Sequence, residues 1–74
     1  MSVEFLRRAW RAASEAVDRA RDEVSMRGIV LARMTHPASE AEALAELRTA
    51  VAAYERAQSR ADRLWDRTGY GRAA

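Results

Sequence analysis

Between Ser2 and Gly69 the chain carries one proline, Pro37, and one glycine, Gly28. Two long stretches are therefore almost free of helix breakers. Ala, Arg, Glu and Leu, all strong helix formers, fill them. The stretches meet at "THPASEAE", residues 35–42. A proline drives the residue before it, here His36, out of helical geometry. Ser39 and Glu42 have the S-x-x-E spacing of a capping box. This punctuation predicts a first helix over 3–34 capped by Ser2 and a turn over 35–39. A second helix follows over 40–68, ending at Thr68-Gly69, with a short tail over 69–74.

The apolar pattern says how the two helices meet. With Val3 at heptad position a, the first helix places Val3, Trp10, Val17, Val24 and Leu31 at a. Leu6, Ala13, Ala20, Arg27 and Met34 then fall at d. Only Arg27 interrupts this seam, and the register runs through Gly28 unbroken. In the second helix Leu44, Val51, Gln58 and Trp65 fall at a, and Leu47, Tyr54, Ala61 and Thr68 at d. Two sustained seams joined by a short connection predict an all-α fold, a coiled-coil-like antiparallel hairpin. Folding at Pro37 pairs positions whose numbers sum to about 75. Trp10 then meets Trp65 and Val24 meets Val51. Arg21 is expected opposite Glu55, and Gly28 opposite Arg48, for which it makes room.

The stretch "SMRGIVLARMTHP", residues 25–37, shows why one seam is not the whole account. Ile29, Val30 and Leu31 cannot share one helical face. Leu31 points into the seam, whereas Ile29 and Val30 point outward with Met26. Phe5, Ala9, Ala12, Ala16, Met26, Ile29 and Val30 form a second apolar face, interrupted by Arg19 and Glu23. The g positions of the second helix, Ala43, Ala50, Ala57 and Leu64, extend it. A hairpin cannot bury both faces, and contiguous exposed apolar surface marks an interface. The expected partner is a protein, with an antiparallel dimer favoured, so that Ile29 and Val30 touch something other than their own second helix.

Composition narrows the chemistry. Seventy-four residues make one domain, too short to bury a large core without a staple or a partner. There is no Cys for a disulfide or a thiolate metal site. All 13 basic residues are Arg and 17 residues are Ala, a bias expected of a GC-rich bacterial or phage genome. The Arg content is therefore poor evidence for phosphate binding. His36, the only histidine, lies in the turn with no nucleophile spaced to use it. The carboxylates stand at i±3 or i±4 from Arg, as in Glu4–Arg8 and Glu23–Arg27, which is ordinary helix support. No E-x-x-H pair and no glycine-rich phosphate loop occurs. The expectation is a non-enzymatic interaction or assembly module without cofactor, metal or small-molecule substrate. It would act in the cytoplasm or within a phage or other large assembly, not on a membrane.

An alternative arises where the chain ends meet. Segment charges run +2 over residues 1–11, −2 over 12–23, +2 over 24–38, −3 over 39–55 and +3 over 56–74. The open end gathers Arg7, Arg8, Arg11, Arg60, Arg63, Arg67 and Arg72 near Trp10, Trp65 and Tyr70, and of these Arg7, Arg8, Arg11, Arg63, Arg67 and Arg72 are the candidate contacts. Arg beside aromatics is a footprint for nucleic acid. Against it, both Trp fall at seam positions, and Glu4, Asp62 and Asp66 are interleaved.

Overall fold

The computed structural model describes residues 2–69. They form two helices, α1 (Val3–Ala32) and α2 (Pro37–Thr68), packed as an antiparallel hairpin. The molecule is a rod of 52 × 20 × 16 Å. Past Gly69 the expected tail, with Tyr70 and Arg72, lies outside the described residues.

The helix ends follow from local chemistry. Ser2 is extended, and its Oγ accepts from the Phe5 amide at 3.2 Å, satisfying one of the first-turn donors. At the far end α1 closes at Ala32, two residues short of the expected limit. The amides of Arg33 and Met34 donate to Val30 and Leu31, a tightening to i−3 spacing that ends the helix. At Gly69, φ is +83°, the left-handed cap for which glycine is suited, and its amide donates to Asp66.

The start of α2 corrects the capping-box reading. The helix opens at Pro37, not at residue 40, so the turn spans 33–36. His36 is extended and caps through its backbone, its carbonyl accepting from the Glu40 amide at 2.9 Å. Proline at the first helical position has no amide to leave orphaned, and its φ is already helical. That advantage begins the helix early and leaves Ser39 inside its first turn.

The seam is built mainly from small residues. Leu6, Ala13 and Val17 of α1 and Ala43, Ala50 and Ala61 of α2 are buried. Tyr54, Ala57 and Leu64 pack against the Ala13–Val17–Ala61 cluster. Trp10 and Trp65 close the open end with ring centroids 5.0 Å apart, tilted at 49°. Their numbers sum to 75, as the fold at Pro37 requires. The expected a/d seam of α2 is displaced, however. Ala43 and Ala50, which the heptad places on the outer g flank, are buried, whereas Leu44 and Val51 are half-buried. Alanines admit the closest helix approach, so α2 turns its small-residue edge inward and keeps the bulkier side chains at the margin. The α2 part of the expected outer face is thereby spent on the hairpin itself.

Two finer expectations also change. Arg21 turns to Asp18 at 3.8 Å, one turn away, instead of crossing to Glu55. A methyl group placed on Gly28 would meet nothing within 4 Å, so the glycine makes no room for Arg48.

These features set three stability tests by thermal or urea unfolding. Gly28→Ala should stabilise by about 0.5–1 kcal/mol, because the helical backbone gains propensity and nothing obstructs the new methyl. Ser2→Ala should cost about 1 kcal/mol through its cap. Ser39→Ala should stay within about 0.5 kcal/mol, and a loss as large as that of Ser2→Ala would restore the capping box.

A candidate protein-binding face on the first helix

Position along α1 decides which apolar side chains the hairpin can use. Residues at c and f point away from α2. Phe5, Met26 and Ile29 stand there, 51%, 52% and 54% exposed. Ala12 is exposed between them, while Ala9, Ala16 and Val30, nearer the seam, are half-buried. The seven expected residues thus divide into an outward set of four and a marginal set of three. Val30 also lines a shallow groove with Met34, Ser39, Glu42, Ala43 and Glu46, so it borders α2 instead of facing wholly outward. A second groove on the same flank is lined by Ala9, Ala12, Ala13, Ala16 and Arg60.

At the level of Met26 the seam carries an ion-pair network. Arg27, the one charged residue of the α1 seam, donates from Nε to Glu23 at 2.8 Å and from Nη1 to Glu46 at 3.1 Å. The first bond is the i,i+4 pair expected from spacing. The second crosses to α2, where 27 and 46 nearly satisfy the pairing sum that joins Trp10 to Trp65. Glu23 is thereby drawn toward the seam and away from Arg19. Glu4 likewise engages Arg7 at 3.7 Å, not Arg8.

The basic end is dispersed. Arg8, Arg11, Arg63 and Arg67 are exposed, and Arg7 is partly covered beside Glu4. Arg72 lies outside the described residues. Trp10 and Trp65 are half-buried against each other, the arrangement expected of a plug. A groove of about 370 Å³ beside them is lined by Asp18, Arg21, Gln58 and Asp62 among others. Its polar groups answer one another, Arg21 with Asp18 and Gln58 with Asp62 at 3.0 Å.

His36 is exposed in the turn. Among the described residues no group of His, Asp or Glu is arranged to hold a metal ion, and no helix is long and apolar enough to cross a membrane. The chain matches no protein-family model, no curated protein and no solved structure.

The cross-helix bond is measurable. A double-mutant cycle on Arg27 and Glu46 should give a coupling of about 0.2–1 kcal/mol, since both side chains remain partly exposed. The coupling should shrink as salt is raised, and a salt-independent value would contradict the pairing.

Proposed function

We propose that this chain is a non-enzymatic assembly module that binds protein through the outward face of α1. The observation that carries the reading is the half exposure of Phe5, Met26 and Ile29 on one helix. Bulky apolar groups held out to water on one helix of a small protein are costly unless something covers them. The side chains around them make no competing chemical site. His36 stands exposed in the turn, and in the groove at Trp10 and Trp65 Arg21 is paired with Asp18 and Gln58 with Asp62. Action inside a cell or within a larger particle accords with this reading.

Size-exclusion chromatography of an extract from expressing cells tests it. The wild-type chain of 8.3 kDa should elute well ahead of Ile29→Asp, which should run at the position of the monomeric hairpin rod. Elution of the wild type as a free monomer would overturn the reading. The exposure of Arg8, Arg11, Arg63 and Arg67 supports a weaker second reading, an acidic or nucleic-acid partner at the open end. Phosphate contacts lose affinity steeply with salt. A mobility-shift assay with duplex DNA and with RNA at low salt should show no shift, and a salt-sensitive shift lost in Arg63→Glu would favour the second reading.

A further inference from the structure

We propose that the occupant of the α1 face is a second copy of the same chain, packed antiparallel to form a four-helix bundle. The proposal rests on the assembly reading and names its partner. Three observations support it. The first is area. The chain exposes 5615 Å², whereas a compact monomer of its mass exposes about 4600 Å². The excess, about 1000 Å², is enough to supply the roughly 800 Å² that each partner contributes to a standard stable interface. The radius of gyration, 16.5 Å, likewise exceeds the roughly 11 Å of a compact chain of this length.

The second observation is shape. The two shallow grooves lie on one flank. Ala16 of the alanine groove and Val30 of the other are two heptads apart on α1, and Arg60 and Glu46 are two heptads apart on α2. One groove is floored by alanines. Beside the other stand the knobs Met26 and Ile29. A two-fold axis near Arg19 lays Met26 and Ile29 of each copy over the alanine groove of its partner, and Phe5 over the groove at Val30 and Met34.

The third observation is charge. The alanine groove has Arg60 on its rim, and the groove at Val30 has Glu42 and Glu46. Antiparallel packing sets the basic rim of one copy against the acidic rim of the other, twice over. Parallel packing would set Arg60 against Arg60 and the carboxylates against each other, so charge selects the orientation.

The purified chain tests this without other proteins. Light scattering at about 100 μM should give twice 8.3 kDa. Ile29→Asp, and separately Ala12→Arg, should each weaken the dimer roughly 100-fold while circular dichroism shows helicity retained. Ala12 is exposed, so its substitution fills the groove without touching the hairpin seam. The chain has no cysteine, which makes orientation testable by crosslinking. Ala12→Cys combined with Met26→Cys should form an intermolecular disulfide. Ala12→Cys alone should not, because antiparallel packing separates the two copies of position 12 by about 20 Å. Ready crosslinking of Ala12→Cys alone would overturn the antiparallel arrangement. A monomer at this concentration would overturn the second copy as occupant. The assembly reading would survive that result if the chain in the extract eluted ahead of the purified monomer, and would fail with it otherwise.

Discussion

The structure depends on the close approach that alanine permits between two helices. Each helix of a hairpin can offer its neighbour only one stripe of surface. Here the stripe is narrow, with Ala13, Ala43, Ala50 and Ala61 supplying four of the six buried side chains. Alanine loses no side-chain entropy on burial and lets dispersion contacts form along the backbone. It also removes little apolar area from water. No described side chain is fully buried. A seam of this kind gives a well-defined hairpin with a small hydrophobic yield, so the bulkier apolar residues left outside weigh heavily in what the molecule does.

Much of the hairpin was legible in the sequence because periodicity reports phase. Ser2 announces the first helix, Pro37 the turn, and Gly69 the end. The pairing sum set by Pro37 places Trp10 against Trp65, where the structure has them. Periodicity does not report rotation. Heptads could not distinguish a second helix facing inward through Leu44 and Val51 from one facing inward through Ala43 and Ala50. Close packing made that choice, and it depends on both helices at once. Long side chains were read least well. Arg21 has carboxylates within reach on its own helix and across the seam, and an exposed guanidinium gains too little from either for spacing to decide. Ser39 misled for a different reason, since an S-x-x-E pattern and a proline two residues earlier compete to start one helix, and the proline fixes its φ at no cost.

The outward face was legible in part. Phe5, Met26 and Ile29 stand outside the a/d seam in sequence and are half exposed in the structure. Val30 and the α2 alanines were harder, because a g position is core or surface according to how far the partner helix has rolled. The roll that buries Ala43 and Ala50 narrows the free apolar surface to one helix.

An alanine seam has a weakness of its own, in that it barely distinguishes one register from the next. Sliding α2 by a heptad would exchange Ala43 for Ala50 and Ala50 for Ala57, so the turn-proximal part of the stripe hardly resists it. Two features resist the slip. Moving α2 by seven residues would separate Trp10 from Trp65, losing an aromatic contact worth about 0.5–1.5 kcal/mol beyond its buried area. It would also take Glu46 away from Arg27 and bring Ala53 or Ser39 to that level. Arg27 would then lose its cross-helix partner at a partly buried position. In the native register the ion pair gains little, because water screens it. In a slipped register its absence costs more, because a desolvated charge must find new partners. The charged interruption of the seam is therefore better understood as a penalty on wrong alignments than as a source of stability. The register it selects brings the alanine-floored groove, Met26 and Ile29 to their places on the outer face.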